Sequence, residues 1–246
     1  MTKNLSNSYS VINLHKKPST KSEVVTQMLY GESFSIFKRY GRWLKIKINE
    51  DGYKGYIQNK NFSEFLKPSH KVSVLKANIY RLPNKSKRVN IMPFGSKIKV
   101  LRRENNFLKF SKGWIHKNDI KPISYVEKNP FKKINIFKNI KYKWGGKSFK
   151  GIDCSALVQV FLNFNKKYCP RDAKDQLKYF KKNIKLKNIK KNDLIFWKGH
   201  VAVALSNKKL IHAYGPMKKT VTMGIDQTIE RIKRTANLKV IGIKRP

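Results

Sequence analysis

Residues 142–164 read YKWGGKSFKGIDCSALVQVFLNF, and the folding of this stretch decides the architecture of the C-terminal half. Asp153 is a good N-cap, and Leu157, Val158, Phe161, Leu162 and Phe164 recur at helical spacing, so a helix starts at Cys154. A cysteine in the first turn of a helix meets unpaired backbone N–H groups and the positive end of the macrodipole, both of which stabilise a thiolate. Further on, residues 194–215, LIFWKGHVAVALSNKKLIHAYG, read as three strand segments, the last two joined around Ser206 to Lys208. Alternation places His200, Ala202 and Ala204 on one face of a strand, and the small alanines leave room for a helix to approach. An odd-length hairpin connection brings His212 onto the face of His200, an even one puts it opposite, and the sequence allows both.

A lone cysteine at a helix start is most simply a buried packing residue, and a lone histidine a satisfied core or surface group. Cys154, His200 and His212 together point instead to thiol–imidazole catalysis. In that chemistry His200 takes the thiol proton and later donates it to the leaving amine, while His212 fixes the tautomer and orientation of His200. The backbone N–H of Cys154 and nearby donors hold the oxyanion.

The first half has another texture, short runs rich in Val, Ile, Phe and Tyr between Gly, Pro, Asn and Lys turns, which suggests small β-barrels. It also repeats. Gly31 aligns with Gly95 and Trp43-Leu44 with Phe107-Leu108 at an offset of 64, Pro18 with Pro83 at 65, and Gly55-Tyr56-Ile57 with Gly113-Trp114-Ile115 at 58. The second copy thus lacks about one turn of the first copy's distal insertion. Two tandem barrels are expected, in 1–67 and 68–125, followed by a further domain in 126–246. The pattern resembles bacterial SH3-like domains over roughly 8–65 and 69–123. SEVVTQMLYGE (22–32) and DGYKGYI (51–57) look like the barrel attached to certain wall-peptide endopeptidases.

Six segments, YKWGG, GIDCSALVQ, PRDAKDQ, NDLIFW, GHVAVAL and LIHAYG, follow one another between residues 135 and 246, and this succession resembles the NlpC-type cysteine peptidase superfamily. The resemblance implies an α+β chain in which two N-terminal SH3-like β-barrels precede a papain-like α+β cysteine peptidase domain. It implies Cys154 as nucleophile, His200 as base and His212 as third member of the triad. Within the superfamily the pattern is similar to the γ-D-glutamyl-L-diamino acid endopeptidases of dipeptidyl-peptidase type, which accept wall peptides with a free N-terminal L-Ala. That likeness implies substrate contacts from Asp172 and Tyr142, from Asp153 and Ser155 beside the nucleophile, and from Glu32 and the Tyr53 region of the first barrel. A carboxylate such as Asp172 or Glu32 is what pairs with a free α-ammonium group. Asp172 reads equally as the N-cap of a helix DAKDQLKYF, and Arg171 stands ready to pair with it or with a substrate carboxylate. Two departures are mild: Ala156 replaces a common Gly after Cys-Ser, and Asn192 replaces a Gly whose turn conformation Asn tolerates.

The 56 Lys and Arg residues against 14 Asp and Glu give a net charge of +42. Such a field attracts anions, whether nucleic acid, an anionic membrane surface or a carboxylate-rich substrate. Lysine is spread along the chain, and RNP, zinc-finger and helix-turn-helix signatures are missing, so nucleic acid is expected only as a nonspecific partner. Two cysteines, Cys154 and Cys169, are too few for a disulfide scaffold or a zinc site, and neither a metal nor another cofactor is expected. The N-terminus has no signal-peptide core, and no run of about 18 apolar residues exists to span a bilayer. A cytoplasmic enzyme without membrane insertion is the expectation, or an exported one if a leader precedes the chain; oligomeric state is not encoded in these features. The function expected is hydrolysis of the γ-D-glutamyl to L-diamino acid bond of short murein-derived peptides in wall recycling. The alternatives are an exported peptidoglycan hydrolase with wall-binding barrels, and a non-catalytic binding or scaffold protein.

Overall fold

The computed structural model describes residues 4–246. Strand Trp43–Ile48 shows how the first barrel forms: Leu44, Ile46 and Ile48 are buried while Trp43, Lys45 and Lys47 are only partly covered, the period of a sheet with one face in a core. It pairs antiparallel with Ser33–Tyr40 and Lys54–Gln58, and Val11–His15 and Val24–Leu29 extend the same sheet. Ile12, Leu14, Met28, Phe34 and Ile57 complete the interior.

In the second barrel Lys76–Tyr80, Arg88–Pro93, Arg102–Glu104, Phe107–Phe110 and Gly113–His116 make one antiparallel sheet, and His70–Val72, Lys97–Ile98 and Ile120–Pro122 a smaller one. Its core holds Val72, Ile79, Met92, Phe110 and Ile115. The repeat is visible in the backbone, since Gly31 and Gly95 share a left-handed φ of 80° and 84°, and Trp43 and Phe107 each open a strand. Strand Trp43–Ile48 has six residues and the turn after it five (49–53), against four in Phe107–Phe110 and two in its turn (111–112), and together these account for most of the shorter distal offset. A Cβ on Gly31 would lie 2.0 Å from the Lys97 carbonyl oxygen, so no larger residue fits there. Beside it, Tyr30 enters the second core, its ring centroid 5.7 Å from that of Phe110 and its hydroxyl 2.6 Å from Ser111 Oγ. The described residues up to Val126 and the excursion Lys147–Phe149 form one compact unit.

Glu127–Gly146 and Lys150–Pro246 form the other. Its six-stranded sheet runs in the order Lys182–Asn183, Gly242–Arg245, Leu194–Trp197, His200–Ala204, Lys209–Tyr214, Lys219–Gly224, all neighbours antiparallel. Three helices accompany it: α1 (Cys154–Phe164), α2 (Ala173–Tyr179) and α3 (Ile225–Ala236). Every residue of α1 from Cys154 to Leu162 is buried, as expected of a helix apolar on all sides. Its Phe161 meets Phe131 and Phe137. Ile225 and Ile232 of α3 belong to the same core cluster as Ala202, Ala204 and Leu210. Asn192 takes a φ of 77°, the left-handed turn expected of it. Next to it, buried Asp193 accepts from Arg245 Nε at 2.7 Å and Nη2 at 2.8 Å, tying the start of Leu194–Trp197 to the last strand. The α+β class and the barrels-then-peptidase order read from the sequence are the observed architecture.

Candidate active site

Cys154 is the first residue of α1, and Asp153 is its N-cap, with extended φ and ψ and a side chain that accepts from the Ala156 N–H at 2.9 Å. The sulfur receives backbone hydrogen bonds from Val201 and Ser155, which puts it at the start of the strand that His200 opens. Burial, and after it the charge of Asp153, push the thiol pKa up to about 12, against the pull of those hydrogen bonds and of Arg171. The helix terminus alone predicts a thiolate; desolvation outweighs it here, and the resting group is a thiol.

Val203 pairs with Ile211 and Ala204 with Leu210, leaving residues 205–209 as an odd-length connection. His212 therefore lies on the face of His200, and His200 Nε2 stands 2.8 Å from His212 Nδ1. Burial lowers the pKa of His200 to about 4, and burial together with His200 lowers that of His212 to about 2, so both rings are neutral at neutral pH. If His200 is to accept a proton at Nδ1, its Nε2–H must donate to His212 Nδ1, and His212 then carries its own proton on Nε2. That buried Nε2 has no partner among the described residues. Tyr214 stacks flat on His212, ring centroids 4.6 Å apart and planes 11° from parallel, and fixes the plane of the orienting ring. A neutral thiol and a neutral imidazole can react by transferring the thiol proton as the sulfur attacks.

Around the nucleophile the sequence undersold Arg171. Its Nη1 donates to Asp153 Oδ1 at 3.0 Å and to Ser155 Oγ at 2.9 Å, and its Nη2 to Asp153 Oδ2 at 2.5 Å. Asp153 accepts in addition from Ser155 Oγ and from the Gly145 N–H. The side chains of Asp153 and Ser155, expected to meet substrate, are thus committed to bracing the start of α1. Gln176 of α2 adds two bonds of 2.9 Å, to the carbonyls of Ser155 and Pro170. The Gly145-Gly146 turn closes against this frame, for a Cβ on Gly146 would meet the Gly151 carbonyl oxygen at 2.5 Å.

Tyr142 lies close enough to the site that burial, Cys154 and Asp153 all push its hydroxyl pKa upward. Asp172 occupies the N-cap position of α2 but makes no side-chain cap bond, so of its two readings the capping one is not realised. Glu32 is not an open carboxylate. It is buried, with Oε1 on Lys147 Nζ at 2.7 Å and Oε2 on the Leu29 N–H at 2.7 Å, because a lysine ammonium already supplies the positive charge foreseen from substrate. Tyr53 is half-buried and packs on the first barrel's core. Cys169 is fully buried. Neither the Arg171–Asp153 fork nor the Tyr214 stack carried a sequence signal beyond the presence of those residues in the PRDAKDQ and LIHAYG segments.

Residues 139–234 match the model of the NlpC/P60 family, and residues 10–63 that of the bacterial SH3 domain. A Bacillus subtilis protein named gamma-D-glutamyl-L-lysine dipeptidyl-peptidase is 27% identical over 237 residues, covering 85% of this chain and 79% of the relative. Dipeptidyl-peptidase 6 of Lysinibacillus sphaericus is 25% identical over 237 residues, with 82% and 84% covered. Among solved structures, an NlpC/P60 family protein from Bacillus cereus has the same fold, with a TM-score of 0.83 at 19% identity over 98% of this chain and 99% of that one.

Proposed function

As a cysteine peptidase with an NlpC/P60 domain behind a bacterial SH3 domain, this chain is a hydrolase, and we propose that it cuts the γ-D-glutamyl to L-diamino acid bond of murein-derived peptides. The observation that carries the reading is the 2.8 Å contact between His200 and His212 at the strand start whose Val201 N–H reaches Cys154. The names of the relatives, dipeptidyl-peptidases acting at a γ-D-glutamyl-L-lysine bond, support the substrate class.

In this mechanism Cys154 Sγ attacks the γ-carbonyl carbon of D-Glu while its proton passes to His200. The backbone N–H of Cys154 stabilises the oxyanion. Collapse of the tetrahedral adduct expels the diamino acid, whose amine takes the proton from His200, and leaves a thioester on Cys154. Water, deprotonated by His200, hydrolyses the thioester and restores the thiol. Asp172 and Tyr142 meet the N-terminal L-Ala, the carboxylate of Asp172 facing its ammonium group. Glu32, held by Lys147, is not part of this contact. The same reading assigns the enzyme to cytoplasmic recycling of short, released peptides.

Incubation with L-Ala-γ-D-Glu-diaminopimelate should release L-Ala-D-Glu, and Cys154→Ala should abolish release; an active Cys154→Ala protein rules the mechanism out. N-acetylation of the substrate should cripple turnover. Digestion of intact sacculi at a rate matching the free peptide would replace the recycling role by that of a wall hydrolase.

A further inference from the structure

The outer face of the first barrel carries a patch that catalysis does not use. Opposite the buried Leu44, Ile46 and Ile48, strand Trp43–Ile48 presents Lys45 and Lys47; Lys45 pairs directly across with Lys38, and Lys47 with Lys54. Like charges placed opposite one another on a sheet repel. None of the four lysines has a carboxylate partner among the described residues. Between them are aromatic rings. Phe37 is the extra residue of a bulge in Ser33–Tyr40 and is 56% exposed, with Lys47 Nζ and Lys54 Nζ at 5.8 and 5.7 Å from its ring centroid. Lys38 and Lys45 lie in the same way over Tyr40 and Tyr56, at 5.2 and 5.9 Å.

We propose that this face, with Phe37 at its centre and Lys38, Lys45, Lys47 and Lys54 around it, docks the protein on an anionic lipid bilayer surface. A projecting phenyl ring and two repelling lysine pairs are each unfavourable in water, and a charged headgroup layer above hydrocarbon relieves both at once. The net charge of +42 adds long-range attraction of the right sign. Single-stranded nucleic acid also seeks cations and aromatics, but it stacks its bases on open ring faces, and here lysine ammonium groups stand over those faces.

The test is sedimentation of the full chain with vesicles of phosphatidylglycerol in phosphatidylcholine, against vesicles of phosphatidylcholine alone. Binding is expected only to the anionic vesicles and weakens with salt. Lys47→Gln with Lys54→Gln should weaken it about thirtyfold, about fivefold for each lysine, and Lys38→Gln with Lys45→Gln should do the same. Phe37→Ala, which keeps the charge, should cost about tenfold. Lys233→Gln with Arg234→Gln, equal in charge but on the exposed side of α3, should change it less than about twofold. The proposal is overturned if the α3 pair weakens binding as much as the patch pairs, or if Phe37→Ala leaves it intact. It is overturned equally if the patch variants lose binding to a thymidine oligonucleotide while still sedimenting with vesicles.

Discussion

Each of the two units holds a buried ion pair, Arg171–Asp153 in one and Lys147–Glu32 in the other, and the two are built differently. In the peptidase unit Asp153 receives both Nη atoms of Arg171, the Ser155 hydroxyl and the N–H groups of Gly145 and Ala156, and through them holds the first turn of α1. In the barrel unit Glu32 receives a single lysine ammonium and one backbone N–H. Arginine's planar fork fixes direction as well as charge, whereas lysine supplies a point charge that constrains little. The contrast separates a carboxylate that aims the nucleophile from one that closes a local structure. It also bears on a chain with 56 basic and 14 acidic residues, where a buried carboxylate readily finds a cation of its own.

Breaking the forked pair should have the largest effect. Arg171→Met leaves Asp153 buried without its counter-charge and should destabilise the protein by about 3–5 kcal/mol, read from the urea midpoint. Turnover should fall severely even where the variant is folded, since the start of α1 loses its brace; near-normal kcat in folded Arg171→Met would mean that the fork does not aim Cys154. Lys147→Met should cost less, about 1–3 kcal/mol, because burial already raises the Glu32 carboxyl and protonation offers it an escape. A carboxyl with a raised folded pKa loses stability as pH rises, so this deficit should shrink in acid. Adding Glu32→Gln should recover most of it. With kcat and KM unchanged, Glu32 has no part in substrate binding; a lower KM in Lys147→Met would return Glu32 to the ammonium site.

The histidine pair adds a smaller, pH-dependent contrast. His200 is held near 4 against an ordinary 6.5, so between those values the unfolded chain binds a proton that the folded chain refuses. Stability from this residue is full above 6.5 and is lost as pH falls toward 4, by at most about 1.4 kcal/mol per pH unit. Urea midpoints across that window should show the slope and His200→Gln should flatten it. The acid limb of kcat/KM should fall near the same low pKa, where a protonated His200 can no longer take the thiol proton.

How much of this the sequence carried depends on range. Periodicity and capping placed Cys154 at the head of α1, Asn192 in a left-handed turn, and the two barrels in register with each other, because each of these is a local or repeating pattern. The parity of the 205–209 connection was open in the sequence, since loop conformation and not pattern decides where pairing stops. The two ion pairs span 18 and 115 residues, and with lysine and arginine so abundant nothing marks which cation each carboxylate meets. The thiol's protonation escaped for a related reason: helix position is local, but the desolvation that overrides it comes from the whole surrounding fold.

Asp172 gives the mildest and most discriminating test, because it separates structure from recognition in a third carboxylate. It stands at the N-cap position of α2 yet makes no cap bond there, so Asp172→Asn removes a charge without removing a cap. If its carboxylate meets the substrate ammonium, the loss of that charge-assisted contact should raise KM for a free-amine peptide about tenfold, with kcat little changed. An N-acetylated peptide has no ammonium group to lose, so its poor turnover should be the same in both proteins. Equal KM values for the free peptide would shift selectivity for the N-terminus from Asp172 to Tyr142, whose hydroxyl is close enough to feel the charge of Asp153.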